Sequence, residues 1–275
     1  EEPMPVKPGQ HYAMGGVEVD ENGQSCIDGL YAAGECSCVS VHGANRLGGN
    51  ALPELFVFGR RAGRHAAGAD LGEPQISTGH TDEDEPGEVD SPVPLGDVDL
   101  GSDAVADGAG TSLSADEVIE AAVEAERELV ETLMGRDEGV QHAEIRRDVQ
   151  ETMTANVNVF REKSRLKRAL RDIREARERY QDVYVADPSR TFNTDLVQTI
   201  ETRNIIDVAE AITVGALARE EFRGAHWRKE YQERDDENWL KHTLYAWNDG
   251  DPELWYKPVI LQGEDKYYEP KIRHY

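Results

Sequence analysis

The sequence predicts an α+β protein of several domains. Three observations indicate this class: a strand, a glycine-rich loop and a helix succeed one another before residue 67, an acidic stretch without apolar periodicity follows, and a series of amphipathic helical patterns comes after it. A segment with both strand and helix signals, separated from a purely helical segment, is typical of a chain with more than one domain. We place the domains at 1–67, 68–113, 114–233 and 234–275.

The strand, loop and helix of residues 1–67 carry the most informative pattern. Gly29–Cys36 is predicted as a short buried strand and 52–67 as a helix, with Arg46 and several glycines between them. Glycines before a helix leave N–H groups free for an anionic or electron-rich ligand, and a guanidinium fits a carboxylate. Glu35 at the end of the strand suits a ribose hydroxyl. Two interpretations follow from the residues alone: a site for an anionic or nucleotide-bearing ligand, or a plain connecting loop whose Arg46 is solvated.

Upstream of this loop, a histidine stands before a glycine pair in the string HYAMGG at residues 11–16. A single histidine in such a place is more often structural than a ligand contact, and both interpretations stay open for His11. Val17–Asp20 alternates as a strand does, and the Asn22-Gly23 pair that follows predicts a turn.

The stretch 68–113 is rich in Gly, Pro, Asp, Glu, Ser and Thr. Such a composition cannot bury enough apolar surface to fold by itself. We interpret it as a solvated acidic linker or insertion without chemistry.

Four helices are predicted after the linker, each with an apolar stripe at helical spacing. The first opens at a capping box, Ser114 with Glu117, and stops near Gly135. The others are expected at about 143–157 and 162–183 and from Asn193 or Thr194 onward. Stripes of this kind indicate a packed core, so we predict an antiparallel helical bundle.

The C-terminal part combines charges and aromatic residues. A mixed-charge cluster comprises Arg223, His226, Arg228, Arg234, Asp235 and Asp236. It could form an acid/base site or an ion-pair network, and we favour the network. The tail from Pro252 onward is predicted to be mostly extended, with aromatic residues suited to a protein interface.

Composition excludes several classes of partner. The formal charge of −25, from 55 acidic and 30 basic residues, argues against nucleic acid or an anionic lipid surface. Only eight of the basic residues are Lys, and an acidic, Lys-poor surface suggests a halophile, in which salt screens self-repulsion. Cys26, Cys36 and Cys38 are predicted to be reduced, and Cys36 and Cys38, too close together for a metal or cluster site, are predicted to be buried and inert. No apolar run reaches the ~20 residues that a bilayer requires.

The loop string SVHGANRLGGNAL at residues 40–52 closely resembles the flavin- and substrate-binding loop of the flavoprotein subunits of succinate dehydrogenase and fumarate reductase. HYAMGG and LYAAGE resemble the same family. The resemblance implies that His11 and Arg46 bind a carboxylate of a dicarboxylate substrate. It also implies that Glu35 holds the FAD ribose and that the backbone of Ala51 and Leu52 meets the flavin ring.

The helical part is similar to the family as well. NVNVFR at 156–161 and FNTDL at 192–196 resemble strings of its helical domain, and EEFRGAHWR at 220–228 and RDDENWLKHTL at 234–244 are more specific. Related L-aspartate oxidases share the HGANR loop but have no obvious equivalent of RDDENWLKHTL. The resemblance therefore implies that residues 1–67 are the C-terminal fragment of a Rossmann-like FAD-binding domain, followed by the bundle and a small C-terminal domain.

Two family features have no counterpart in this sequence. No G-x-G-x-x-G dinucleotide fingerprint is present, and the family's acid/base arginine lies upstream of the HYAMGG string. We therefore expect no catalytic acid/base here, an inactive isolated chain, and exposed apolar surface on residues 1–67.

The resemblance implies oxidation of succinate to fumarate with FAD as hydride acceptor. It also implies an iron-sulfur subunit and membrane-anchor subunits as partners, and a cytoplasmic, peripheral position on the inner face of the membrane. Fumarate reductase and L-aspartate oxidase are the alternatives among enzymes. A non-catalytic docking or assembly remnant is the alternative of another class.

Overall fold

The structure, a computed structural model, describes residues 4, 9–68, 115–248, 251–261, 267 and 269–270. It divides into two compact units. The first takes in the described parts of 1–91, 220–243 and 256–275, and the second those of 92–219 and 244–255. The capping serine, Ser114, and all of the predicted linker except Gly68 lie outside the described residues.

Short strands and longer helices follow one another along the chain. In chain order the elements are β1 (Val17–Glu18), β2 (Ser37–Cys38), α1 (Ala51–Ala66), α2 (Ala115–Met134), β3 (Val140–Gln141), α3 (His142–Thr152), a π-helical turn (Met153–Val157), β4 (Phe160–Arg161), α4 (Lys163–Tyr180), β5 (Val183–Tyr184), α5 (Thr194–Ala218), β6 (Trp227–Arg228), α6 (Asp236–Trp239), β7 (Lys241–Asn248) and β8 (Asp251–Pro258).

The strands of the first unit are shorter than the sequence predicts. β1 pairs in parallel with β2, and the Asn22-Gly23 turn forms as expected, with Gly23 at φ 74°. The predicted strand Gly29–Cys36 is wrong: only Tyr31 makes a bridge, to Gln24. Because Gly29 and Gly34 both have positive φ, at 81° and 85°, the chain turns at each end of this segment instead of continuing in an extended form.

Helix α1 packs its small residues against the turn after β1. The Cβ of Ala62 lies 2.7 Å from the place where a Cβ on Gly23 would be. Arg61 donates to the carbonyl of Glu21 at 2.8 Å and to the side chain of Asn22 at 2.7 Å. These contacts fix the helix relative to β1 and, through the loop 39–50, relative to β2.

Three members of the mixed-charge cluster, Arg223, Arg234 and Asp236, take part in an ion-pair network in the first unit. Arg223 donates to Glu221 at 2.7 Å and to Asp236 at 2.7 Å, and Arg234 donates to the other oxygen of Asp236 at 2.6 Å. The pKa of Asp236 lies below its ordinary value; burial opposes this shift, and the two guanidinium partners outweigh burial. The sequence did not indicate Glu221, whose buried carboxylate also accepts from the Asp235 N–H.

The second unit has one main apolar core between its helices. Helices α3, α4 and α5 pack against one another, and β3 pairs in parallel with β5 at one end. The largest core side chains with almost no exposure are Leu133, Ile145, Val149, Leu166, Ile173, Val183 and Ile206. Burial of such side chains supplies the main driving force of folding.

Buried charge in the second unit is paired. The carboxylate of Glu210 is 1% exposed and accepts from Arg174 at 3.1 Å and from Arg177 at 2.8 Å. The guanidinium of Arg177 also lies over the ring of Trp247, 4.2 Å from its centroid. The attraction of the two guanidinium groups offsets the desolvation penalty of burying this carboxylate.

Helix bounds in the second unit agree with the prediction to within a few residues. Asn193 caps α5, and its side chain accepts from the Leu196 N–H. Two ends differ: α4 stops at Tyr180 instead of 183, because Val183–Tyr184 pairs as a strand. The last turn of the second predicted helix is π-helical.

At a coarse level the mixed helix-and-strand architecture of the α+β prediction is confirmed. The Rossmann-like origin of residues 1–67, the antiparallel order of the bundle and the domain boundaries stay predictions. Among the residues that the structure describes, no helix combines the length and the hydropathy needed to cross a bilayer.

Candidate functional site

The candidate site is the loop that connects β2 to α1, and its backbone has an unusual path. Ser40, a non-glycine residue, has φ 68°, and Gly43 and Gly49 have φ 60° and 87°. The side chain of Ser40 forms a 2.9 Å hydrogen bond with Nε2 of His242. Since backbone strain at a non-glycine residue costs about 1–3 kcal/mol, this hydrogen bond is one of the contacts that hold the loop in shape.

A second support holds the middle of the loop. Gly224 lies against Ala44, and a Cβ at position 224 would be 2.7 Å from the carbonyl carbon and oxygen of Ala44. The N–H of Ala225 donates to that same oxygen at 2.9 Å. The EEFRGAHWR segment therefore buttresses the HGANR segment, and only glycine allows the approach.

Arg46 is the cation that this loop presents. Its guanidinium carbon lies over the ring of Tyr12, 4.5 Å from the centroid, and one terminal nitrogen donates to the carbonyl of Leu47 at 3.2 Å. Its Nε is buried without a hydrogen-bond partner. No carboxylate in the described part of the chain forms an ion pair with it, so the charge of Arg46 is available to an anion.

Behind Arg46 lies a buried carboxylate that receives two hydrogen bonds on one oxygen. Oε2 of Glu54, in the first turn of α1, accepts from the hydroxyl of Tyr12 at 2.6 Å and lies 2.9 Å from Nε2 of His42. The side chains of His42 and Glu54 are only 6% and 3% exposed. The rings of Tyr12 and His42 meet edge to face at 5.5 Å.

This arrangement changes the acidity of Tyr12. The hydrogen bond to Glu54 is the largest cause, and burial and the negative charge of Glu54 add to it; together they raise the pKa of Tyr12 to about 12. The phenol therefore stays neutral at ordinary pH and keeps its proton for the carboxylate.

The other residues expected from the resemblance lie around the same loop. Glu35 is exposed and accepts from the N–H of Ala13 at 2.9 Å, which joins it to the segment that carries His11. His11 is itself exposed and directly precedes Tyr12. Ala51 and Leu52 form the first turn of α1.

The start of α1 has free donors. The side chain of Asn50 makes no capping hydrogen bond, and Pro53 has no N–H, so the N–H groups of Ala51 and Leu52 are the open donors of this helix end. Around Gly48 and Gly49 there is open space where a Cβ would point. A flavin, with its ring carbonyls and ring nitrogens as acceptors, fits this bare backbone and these donors.

A small pocket lies next to the buried carboxylate. Met14, Cys38, His42, Glu54 and His242 are among its lining residues. Burial raises the pKa of the Cys38 thiol, which keeps it in its unreactive form.

The expectation of a buried thiol is wrong for Cys36, which is exposed, as Cys26 is too. Cys36 lies in the turn at the end of the segment that was predicted as a strand. Within the described residues, no group of three or more His, Cys, Asp and Glu side chains is arranged to hold a metal ion.

Two members of the site were missed at the sequence level, Tyr12 and Glu54. One signal could have indicated Glu54: it is a carboxylate inside the apolar run ALPELFVF that opens α1, where a buried acid requires a partner. Nothing in the spacing indicates that this partner would be Tyr12, 42 residues earlier.

Family models match both ends of the chain. Residues 1–52 match the model described as FAD binding domain, and residues 146–275 match the model described as fumarate reductase flavoprotein C-term. Residues 1–52 contain most of the candidate site, and their match to an FAD-binding domain indicates FAD as the cofactor.

Curated proteins are similar along nearly the whole chain. The fumarate reductase flavoprotein subunit of Mycobacterium tuberculosis is 40% identical over 259 residues, 94% of this chain and 39% of that protein. The succinate dehydrogenase flavoprotein subunit of Coxiella burnetii is 36% identical over 288 residues, 99% of this chain and 41% of that protein. The chain thus spans about two fifths of the length of these relatives.

A solved structure agrees with these matches. The quinol fumarate reductase of Escherichia coli aligns with a TM-score of 0.72 and 36% identity, over 94% of this chain and 38% of that one. The site geometry, the two family models and these relatives together lead to one conclusion: the chain belongs to the family of fumarate reductase and succinate dehydrogenase flavoprotein subunits.

Proposed function

We propose that this chain forms the part of a succinate dehydrogenase flavoprotein subunit that holds one carboxylate of the dicarboxylate substrate and one side of FAD. The main observation behind the proposal is that the guanidinium of Arg46 has a hydrogen-bond donor and a charge without partners among the described residues. Its guanidinium is stacked on Tyr12, has a buried Nε without an acceptor and forms no ion pair with the described carboxylates. A substrate carboxylate would supply the missing acceptors in a bidentate contact.

In this proposal Arg46 orients the substrate, and His11 adds a second contact to the same carboxylate. Fixing one end of a four-carbon dicarboxylate limits the rotation of its reacting C–C bond, which lowers the entropic part of the barrier. When bound, FAD supplies the hydride acceptor. The proton on the neighbouring carbon is accepted by the acid/base arginine that the family resemblance assigns to an upstream segment.

The cofactor contacts follow from the same geometry. The N–H groups of Ala51 and Leu52 would meet acceptor atoms of the flavin ring, and the exposed carboxylate of Glu35 would accept from ribose hydroxyls. Ala51 has no hydroxyl, so its contact is limited to the backbone. The open space at Gly48 and Gly49 allows a flat ring to approach the loop.

Reaction direction, partners and location are further parts of the proposal. We infer that electrons leave through an iron-sulfur subunit and that membrane-anchor subunits keep the assembly at the inner face of the membrane. Relatives named for fumarate reductase and for succinate dehydrogenase are about equally similar to this chain, so fumarate reductase is the second candidate. L-aspartate oxidase and a non-catalytic docking remnant rest on the sequence arguments alone.

The test pairs the full chain with the segment that precedes the matched region in the M. tuberculosis relative. Flavin content and succinate-driven dye reduction are measured for the wild type, Arg46→Ala and Arg60→Ala. Arg60 is an exposed arginine of α1 and serves as the matched control. We expect turnover only in the pair, and a loss of about 100-fold or more for Arg46→Ala with flavin retained, because a charged transition-state contact is removed.

Two results would contradict the proposal. If Arg46→Ala and Arg60→Ala keep the same turnover, Arg46 does not hold the substrate. If the pair binds no flavin while the helical unit stays folded and captures an iron-sulfur subunit, the docking remnant is the better description.

A further inference from the structure

The orientation of Arg46 depends more on the aromatic ring on which its guanidinium rests than on its own hydrogen bonds. Among the described residues its side chain makes one hydrogen bond, to the carbonyl of the next residue, Leu47. A contact so local does not fix where the guanidinium points, because the side chain and that carbonyl move together with the loop. The ring of Tyr12, from a different segment of the chain, is the surface on which the guanidinium rests.

Tyr12 is in turn held from two sides. Its hydroxyl donates to Glu54 at 2.6 Å, and its ring meets the edge of His42. Glu54 belongs to α1 and His42 to the loop itself, so two further segments of the chain meet at this ring. Each of the two hydrogen bonds ends on the same carboxylate oxygen, and an ionised carboxylate only accepts, so Nε2 of His42 carries a hydrogen toward Glu54.

The buried carboxylate of Glu54 is also unusual because its hydrogen-bond donors, Tyr12 and His42, are not Lys or Arg. Within the described residues Glu54 forms no ion pair with Lys or Arg, although Arg46 lies over the ring of its hydrogen-bond donor, Tyr12. Tyr12 therefore contacts both the carboxylate and the guanidinium. A phenol that donates to a carboxylate gains electron density on its ring, and this strengthens the attraction between the ring face and a guanidinium.

We propose that Tyr12, held by Glu54 and His42, is a positioning residue that sets the direction in which Arg46 meets the substrate carboxylate. The inference rests on the proposed function, in which Arg46 binds that carboxylate. Tyr12 touches neither substrate nor cofactor in this role. It acts by holding the guanidinium in one orientation before the substrate arrives, which reduces the entropy lost on binding.

The first test is a double-mutant cycle on the affinity for malonate. Malonate is a dicarboxylate that cannot be desaturated, because its carboxylates share a single carbon. Dissociation constants are measured with the full chain paired as above, for the wild type, Tyr12→Leu, Arg46→Ala and the double variant. We expect affinity to fall by about 10-fold for Tyr12→Leu and by about 10- to 100-fold for Arg46→Ala, with the double variant no weaker than Arg46→Ala.

Conservative variants separate positioning from folding. Tyr12→Phe keeps the ring but loses the hydroxyl that Glu54 holds, so we expect its malonate affinity to fall by less than that of Tyr12→Leu. Glu54→Gln keeps an acceptor for the hydroxyl and removes only the negative charge, so we expect its loss also to be smaller than that of Tyr12→Leu. Thermal unfolding and flavin content are measured for each variant. The proposal is overturned if Tyr12→Leu weakens malonate binding equally with and without Arg46, or if it leaves binding unchanged in the wild-type background.

A second measurement does not depend on any ligand. The Nε–Hε signal of Arg46, assigned with Arg46→Lys, reports the ring current of Tyr12 and the order of the guanidinium on the ps–ns timescale. In the wild type we expect an upfield signal from an ordered guanidinium. In Tyr12→Leu the signal should shift downfield and the guanidinium should become mobile. In Glu54→Gln the guanidinium should become more mobile than in the wild type. A signal unchanged by Tyr12→Leu would overturn the positioning role even if Arg46 binds the substrate. Conversely, normal malonate affinity in Arg46→Ala would overturn the proposed function while this signal still decides the role of Tyr12.

Discussion

Single residues of the site depend on contacts that join distant parts of the sequence. Arg46, His11 and Glu35 were expected from motifs, because a guanidinium, an imidazole and a carboxylate in such strings have recognisable uses. Tyr12 and Glu54 were not expected, since no local pattern relates a hydroxyl to a carboxylate 42 positions later. Only the tertiary structure brings this pair together, and Tyr12 of the pair contacts Arg46, the arginine that the motif indicated.

The acidity of Tyr12 gives a direct test of this pair. Its pKa is raised to about 12, first by the hydrogen bond to Glu54. A raised pKa in the folded state stabilises the fold fully below the ordinary tyrosine pKa of about 10 and loses that contribution as pH rises toward 12. We expect the phenolate absorbance of the wild type minus that of Tyr12→Phe to show one tyrosine that ionises near pH 12.

The matched variant for this titration is Glu54→Gln. It keeps a hydrogen-bond acceptor and removes the negative charge, so the late ionisation moves to lower pH. An unchanged difference curve in Glu54→Gln would show that the carboxylate does not control Tyr12.

Elements of secondary structure were predictable to the extent that they depend on local periodicity. The helices of the second unit were found within a few residues, because their apolar stripes and the cap at Asn193 are local signals. The strand at Gly29–Cys36 was wrong, because strand pairing is non-local and two glycines at positive φ interrupt the segment. The ends of α3 and α4 differ for a related reason: the pairing of β5 and the π-helical turn are tertiary features.

The contact between α1 and the turn after β1 can be tested with a pair of glycines. Gly23 and Gly29 have similar positive φ, 74° and 81°, but only a Cβ on Gly23 would meet neighbours, chiefly the Cβ of Ala62 at 2.7 Å and also the carbonyl oxygen of Ala32 at 3.0 Å. We expect Gly29→Ala to cost about 1 kcal/mol from backbone strain alone. Gly23→Ala should cost about 1–3 kcal/mol more, because the added methyl overpacks against α1.

This difference in unfolding free energy is measured by urea unfolding of the two variants. The unfolding is monitored with a probe in the first unit. Equal destabilisation would mean that α1 does not rest against the turn as described. Amide exchange of residues in α1 should also accelerate in Gly23→Ala and stay near the wild-type rate in Gly29→Ala.

The whole molecule is dominated by its negative charge. The formal charge of −25 predicts self-repulsion at low ionic strength, and salt weakens that repulsion as the Debye length falls from ~30 Å at 0.01 M to ~3 Å at 1 M. The suggestion of a halophile rests on this charge and on the scarcity of Lys. We expect the unfolding temperature of the paired protein to rise from low to molar salt. Maximal stability at low salt would contradict the suggestion.

At the same scale, in the proposed function the chain supplies one side of a site. It covers about two fifths of its curated relatives, and its contribution is a buttressed loop with an available arginine and a helix end with free donors. Apolar residues of α1 such as Leu52 and Phe56, the latter 75% exposed, agree with the expected exposed apolar surface in residues 1–67.

The central claim is that Arg46, resting on Tyr12, holds a dicarboxylate beside FAD. A structure of the paired protein with flavin and malonate tests it most directly. We expect both terminal nitrogens of Arg46, or one of them and Nε, to lie within hydrogen-bond distance of one malonate carboxylate, with the guanidinium still over the ring of Tyr12. Malonate bound elsewhere while Arg46 faces solvent or pairs with a protein carboxylate would contradict the account.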